Sequence, residues 1–339
     1  MKFKFYKSKR KAHFNEERKI NYLYYFGAKI ATVISILFMN ILIKTNKNPK
    51  NNNININIEK SSNNVTVEDK IKMIKIFTIN NPFLYTKYEN CLTDKRDELN
   101  CFYHLLLTKK VVGKERILLG DKNDGSYVLL NDFENIKYAY SFGIADRIQF
   151  DDDLAKRNID VYMYDHTISQ LPHNNEKFHW KKIGIAGNAE KNYQLKTLED
   201  LIVENGHSNE YNMILKIDVE EAEWNSLNDL SEERIKQFKY IVIEYHFLKE
   251  SNIKLYHDVL KKIYKTHQPF YHRCHGRENL IILENNIICK YLEVSYVIRD
   301  NYQFEKDDTI YPLYEWDSNL PQNDVTREIN LNILKLFDF

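Results

Sequence analysis

The spacing of hydrophobic and polar positions changes several times along this chain, and each change marks an element. Residues 22–43, YLYYFGAKIATVISILFMNILI, form an apolar stretch that Lys29 interrupts and Asn40 blemishes near the far end. As a helix at about 1.5 Å per residue this stretch reaches about 33 Å, enough for a bilayer core of about 30 Å. Residues 1–21 before it are basic, with Lys2, Lys4, Lys7, Lys9, Arg10, Lys11, Arg18 and Lys19. Lys29 lies near that basic end, where a long side chain snorkels to the headgroups. The pattern predicts a single-pass signal anchor with a cytosolic tail and everything after Ile43 on the lumenal side. A cleaved signal peptide is the competing reading, but no small-x-small cleavage site follows Ile43. A buried or interfacial helix is the other. Residues 44–85 open with an Asn- and Lys-rich run and read as a stem. Asn64-Val65-Thr66 is a glycosylation sequon, usable on the lumenal side. Within the stem, Val67 to Ile79 has helical spacing, broken by Asn80-Asn81-Pro82.

From Lys114 short apolar runs alternate with helical spacing. Arg116–Gly120 and Tyr127–Leu130 are predicted strands around the turn Asp121–Gly125. Lys137–Phe142 leads into Gly143 as the first strand of a doubly wound sheet, with the glycine at its exit turn. Asp151-Asp152-Asp153 opens a helix, where capping is the ordinary role of such acids. Ile159–Tyr164 is the next strand and ends in Asp165. Trp180–Ile185 is a third. Thr197–Ile202 is a helix with a capping-box-like start, closed by Asn205-Gly206. Helices are predicted at Ser231–Gln237 and Asn252–Lys265, with strands at Phe238–Tyr245, Pro269–Cys274, Glu278–Leu283 and Glu293–Ile298. Asn285-Asn286 reads as a hairpin turn, with Ile287-Ile288 starting the return. The tail to Phe339 receives no element.

Chemistry concentrates in Asn212–Trp224, NMILKIDVEEAEW. A short apolar run ending abruptly in carboxylates reads as a strand buried on both faces that empties into a polar site. Asp218 stands at that strand end, where open α/β sheets bind ligands. Glu220, Glu221 and Glu223 fall in the first turn of a helix, where negative charge suits the dipole. Asp165 follows the turn glycine by about 20 positions, the place from which an acid hydrogen-bonds ribose hydroxyls in Rossmann-like sites.

Composition narrows the choices. A net charge of +1 gives no basic field to suggest nucleic acid. Tyr and Phe are plentiful (24 and 18), enough for an aromatic core, whereas the 9 glycines are few for phosphate-cradling loops. The four cysteines, Cys91, Cys101, Cys274 and Cys289, contain no CxxC, which argues against a zinc site. They pair only in an oxidising compartment. For Cys91 and Cys101 a local disulfide and two buried thiols both fit. Asp151-Asp152-Asp153 contains the DxD pattern with which glycosyltransferases hold a metal and a sugar nucleotide. Such a pattern usually ends a strand, and here it begins a helix.

In chain order, Asp124-Gly125-Ser126-Tyr127-Val128, Tyr140-Ser141-Phe142-Gly143-Ile144, Tyr164-Asp165-His166-Thr167 and Leu215–Trp224 together resemble the FkbM-type methyltransferase domain, in particular its eukaryotic membrane-anchored relatives. Ile243–His246 and Leu292–Tyr296 are similar to the family's later strands. The likeness runs from roughly Lys114 to Arg299, and LKIDVExAEW is its specific part. It implies a class I, Rossmann-like α/β domain over residues 86–339. The expected core is a doubly wound, mostly parallel seven-stranded sheet with a C-terminal antiparallel hairpin, preceded by one transmembrane helix. It further implies S-adenosyl-L-methionine as methyl donor. Gly143 would approach the donor's methionine part, Asp165 would hold its ribose, and Asp124 would line the pocket. Asp218 and His246 are the candidate catalytic bases. Glu220 and Glu223 would hold the strand–helix turn, His275 would contact the acceptor, and no metal is assigned. The implied partners are the membrane and a hydroxyl-bearing acceptor, a glycan among them, in the lumen of the ER or Golgi, without nucleic acid. The family usually has Gly where this chain has Glu221. The first-strand turn carries Gly143 alone and lacks the acid and repeated glycines of a well-formed methyl-donor loop. The rivals are a type II membrane glycosyltransferase and a non-catalytic binding module that kept the fold.

Overall fold

A computed structural model of the chain describes residues 101–121, 125–247, 250–274, 280–283, 286–309 and 316. The chain divides into two compact units, residues 1–87 and 88–339, and every described residue belongs to the second. The predicted tail, anchor and stem, together with Cys91, Asp124 and His275, lie outside the described residues. Among the described residues no helix is long and apolar enough to cross a membrane.

The elements follow the predicted alternation. In chain order they are α1 (Cys101–Leu106), β1 (Lys109–Val111), β2 (Arg116–Leu119), β3 (Tyr127–Leu130), β4 (Tyr138–Phe142), α2 (Gln149–Ala155), β5 (Asp160–Tyr164), β6 (Phe178–Lys181), β7 (Gly184–Ile185) and β8 (Leu195–Lys196). Then come α3 (Leu198–Glu204), β9 (Met213–Ile217), α4 (Ala222–Asp229), α5 (Glu232–Ile235), β10 (Phe238–His246), α6 (Ile253–Tyr264) and β11 (His267–Cys274). The chain continues through β12 (Leu280–Leu283), β13 (Asn286–Cys289), β14 (Tyr291–Ile298) and β15 (Phe304–Lys306).

Seven strands form the central sheet in the order β11-β14-β10-β9-β4-β5-β6. The pairs β10/β9, β9/β4, β4/β5 and β5/β6 are parallel, whereas β14 runs antiparallel to both β10 and β11. Strands covered on both faces read as unbroken apolar runs rather than alternating ones. Accordingly all five residues of β9 and all nine of β10 are buried. Trp224 of α4 meets Tyr256 of α6 at a tilt, 4.3 Å between ring centres, and stacks on Tyr245 of β10 at 4.7 Å, which ties that helix pair to the sheet. Thr197 caps α3 as predicted, its side chain accepting from Asp200 N at 3.1 Å while Asp200 accepts from Thr197 N at 3.2 Å.

Several boundaries differ from expectation. The predicted strand Trp180–Ile185 divides into β6 and β7, which belong to different sheets. The C-terminal hairpin exists as β12/β13 but forms its own two-stranded sheet, and the central sheet takes its antiparallel member from β14. Cys274 and Cys289 at the ends of that excursion form a disulfide. The tail holds one strand, β15, which pairs with β1. Asp307 reinforces that closure by accepting from the Thr108 hydroxyl at 2.8 Å and from Arg116 at 2.9 Å. Asp151 does not start its helix: α2 begins at Gln149 and Asp151 is buried within it.

Candidate active site

The strand order reverses between β4 and β9, and in open α/β sheets a crevice opens beyond the carboxyl ends of the strands at such a point. Here it is a cleft of about 430 Å³ lined by Gly143, Asp165, Lys216, Asp218 and Glu220 among others. Three of the five sequence-predicted site residues, Gly143, Asp165 and Asp218, therefore meet at one place. His246 lies directly behind Asp218, and Asp124 is outside the described residues.

Gly143 closes β4 with φ +72°, a conformation that costs L side chains dearly. A methyl group there would also overlap the Asp218 carbonyl. The glycine thus lets the exits of β4 and β9 pass each other, a reason for it other than approach to a ligand. Asp218 N donates to Phe142 O at 3.1 Å, and the buried Lys216 amine donates to Phe142 O at 3.0 Å and to Gly143 O. A lysine inside the apolar run MILKI is the one sequence signal of this contact, and the strand reading passed over it.

Asp165, at the exit of β5, is nearly saturated as an acceptor. One oxygen takes Ile144 N and Ala145 N at 2.9 Å each, and the other takes Thr167 N at 2.8 Å and the Thr167 hydroxyl at 2.6 Å. An ionised carboxylate offers about four lone-pair sites, and here four donors occupy them. Burial pushes this carboxyl up, but those hydrogen bonds outweigh it and hold the group below the ordinary aspartate value. The first role of Asp165 is therefore to fasten the loop after Gly143 to the end of β5.

Asp218 receives the Tyr127 hydroxyl on Oδ2 at 3.1 Å. Tyr127 is fully buried, so its phenol is pushed well above its usual pKa, first by burial and then by Asp218 and its neighbours. The turn after Asp218 puts Glu220 and Glu221 at φ +48° and +77°. Glu221, the residue preceding α4, stands where the family usually has glycine. The left-handed backbone explains that preference better than a close approach does.

His246 ends β10 with 2% exposure. Glu223, fully buried in the first turn of α4, accepts His246 N at 2.8 Å and pairs with Nδ1 at 3.1 Å, while Trp224 Nε1 donates to His246 O at 2.9 Å. Nε2 faces Glu220 at 3.5 Å and Asp218 and Glu244 at 4.0 Å each. Burial pushes the imidazole down, but the carboxylates, Glu223 first, outweigh it and raise its pKa to about 9. His246 is therefore a cation at neutral pH. Of the two predicted bases, Asp218 is the one with a free proton-accepting oxygen beside the cleft. Glu223 and Glu244 complete this cluster. The sequence reading had Glu223 only as a turn residue, and Glu244 only as part of the family-like strand Ile243–His246.

The DxD triplet does not converge. Asp151 is buried, its carboxyl raised to about 6 by burial. Asp152 pairs with His173 at 2.9 Å, and Asp153 accepts Gly120 N at 2.9 Å. Three acids directed to three different neighbours do not form a metal–sugar-nucleotide site.

A seven-stranded α/β sheet with an acid-lined cleft at its switch point defines a Rossmann-like enzyme domain. The Methyltransferase FkbM domain family matches residues 37–271, more than half of the chain, so the chain belongs to that family and is a methyltransferase. Comparison with curated proteins gives no match. A solved structure, "Putative hemolysin from Streptococcus thermophilus", is 13% identical, with 70% of this chain and 89% of that one covered. Its TM-score of 0.30 is too low to inform fold or function.

Proposed function

We propose that this methyltransferase uses S-adenosyl-L-methionine to methylate a hydroxyl oxygen. The observation that carries the reading is the convergence of the β4, β5 and β9 exits on one cleft whose lining includes Asp165, Asp218 and Glu220. A ligand bearing a sulfonium cation fits an acid-lined mouth, and its ribose edge fits the loop that Asp165 fastens. When bound, the donor supplies a methyl group already activated for displacement, so positioning and exclusion of water are the protein's main tasks. Gly143 keeps the β4 exit thin enough for the cleft to exist. Asp165 and Thr167 set the loop of residues 144–145. Asp218, oriented by Tyr127, accepts the proton that the acceptor hydroxyl gives up. His246 is a positioning residue that holds Asp218 beside a buried positive charge.

The same reading places the domain on the lumenal side of a membrane, anchored by residues 22–43 and spaced from it by residues 44–85. A Cys274–Cys289 disulfide supports an oxidising compartment. A glycan or another lumenal hydroxyl is then the natural acceptor class.

Calorimetric titration of the full chain with S-adenosylhomocysteine tests the donor assignment. Micromolar binding is expected, lost in Asp165→Ala together with turnover, and kept in Asp218→Asn, where turnover alone falls. A folded chain that binds no S-adenosylhomocysteine overturns the reading and leaves a non-catalytic binding module.

A further inference from the structure

Behind the cleft, one ligand atom from each of Asp218, Glu244 and His246 lies within 4.8 Å of the others. Donors sharing one ion at about 2.1 Å stand about 3 to 4 Å apart. His246 Nε2 to either carboxylate, at 4.0 Å, already meets that span. Two further features distinguish the group from an ordinary acidic patch. The imidazole is buried, and among the described residues its Nε2 has no hydrogen-bond partner; it points into the group of carboxylates. Its other nitrogen is held by the fully buried Glu223, the arrangement that fixes the ring of a metal-binding histidine.

We infer that Asp218, Glu244 and His246 form a divalent-cation site in which the ion displaces the Nε2 proton of His246, with Glu223 orienting the histidine and Glu220 at its rim. Two carboxylates and one imidazole suit Mn²⁺ or a similar first-row ion better than Mg²⁺ or Ca²⁺, which prefer all-oxygen shells. Three protein ligands leave positions open. Asp218 lines the cleft, so those positions face the cleft, where an oxygen of the acceptor completes the coordination. That last role rests on the methyl-transfer reading; the binding itself does not.

The test is titration of the full chain with Mn²⁺, following free Mn²⁺ by electron paramagnetic resonance, with melting and S-adenosylhomocysteine affinity measured alongside. One Mn²⁺ per chain is expected. Glu244→Gln and His246→Gln should each weaken binding more than 10-fold, and Glu223→Gln by about 10-fold. Glu244→Gln should keep its affinity for S-adenosylhomocysteine, because Glu244 does not line the cleft. A folded wild-type chain with no stoichiometric Mn²⁺ binding overturns the site, and so does equal affinity in folded Glu244→Gln and His246→Gln. The wild-type stoichiometry decides the matter even where a variant does not fold. Mn²⁺ binding without S-adenosylhomocysteine binding leaves the cation site standing and removes the methyl-transfer reading. The reverse result removes the cation site alone.

Discussion

His246 and His267 are almost equally hidden from water, at 2% and 0% exposure, and touch opposite ends of the same strand. His246 ends β10, and the His267 ring, through Nε2, bonds the carbonyl of Phe238 at the start of β10 at 2.8 Å. The second nitrogen of His267 meets the Thr266 hydroxyl at 2.8 Å. Burial dominates there and lowers its pKa to about 4, so His267 is neutral. Around His246 the carboxylates of Glu223, Glu244 and Glu220 reverse the outcome and raise it to about 9. Equal burial thus yields opposite charge, and the difference is the company each ring keeps. Around His246 the fold holds charge in the dark, and around His267 it avoids it.

The sharpest way to break that contrast is to strip the compensation from His246. Glu223→Ala leaves a buried imidazolium without its closest partner and should cost about 3–5 kcal/mol by denaturant unfolding. A loss near 1 kcal/mol would mean that Glu223 contributes no more than an ordinary hydrogen bond.

A pH series sharpens the contrast from both sides. His267 has a folded-state pKa below the unfolded value of about 6.5. Its neutral, buried form is therefore favourable above that pH, and stability falls as pH drops toward about 4. The full span is on the order of 3 kcal/mol. His246 has the opposite sign. Its contribution is complete below about 6.5 and is lost as pH rises through about 9. Melting temperature against pH should therefore flatten on the acid side in His267→Gln and on the alkaline side in His246→Gln. Both variants flattening the same limb would show that the two rings do not differ in charge.

The smallest effect concerns the turn between Glu220 and Glu223, two of the acids that face His246. Glu221→Gly relieves a left-handed backbone that costs a residue with a side chain about 1–2 kcal/mol, and should raise stability by about 1 kcal/mol. Loss of stability on that change would mean that the glutamate side chain contributes more than its backbone strain costs.

Much of the sheet could be read from one-dimensional spacing. The runs around Tyr140, Met163, Leu215 and Ile243 are short, apolar and bounded by polar residues, because each strand is covered on both faces. Turn chemistry marked Gly143, and the abrupt ends of the runs marked Asp165 and Asp218. The short strands escaped notice: β1, β8 and β15 are two or three residues long, too short for any period to show. The split of Trp180–Ile185 escaped for another reason, since an unbroken apolar pattern does not say which sheet each half joins.

Local pattern determined the order of strands and helices, the carboxylates at the strand ends and the turn at Gly143. These depend on neighbours a few residues away, through backbone sterics and alternation of burial. Which carboxylates would share one pocket was decided only in three dimensions. Glu223, Glu244 and His246 are brought together by the parallel register of β9 and β10 and by the entry of α4, over 20 residues of intervening chain. The same is true of the acids that part company: Asp151, Asp152 and Asp153 are adjacent in sequence, yet the helix sends them to different neighbours. The charge of a buried group is set by what surrounds it in space, and no spacing along the chain records that.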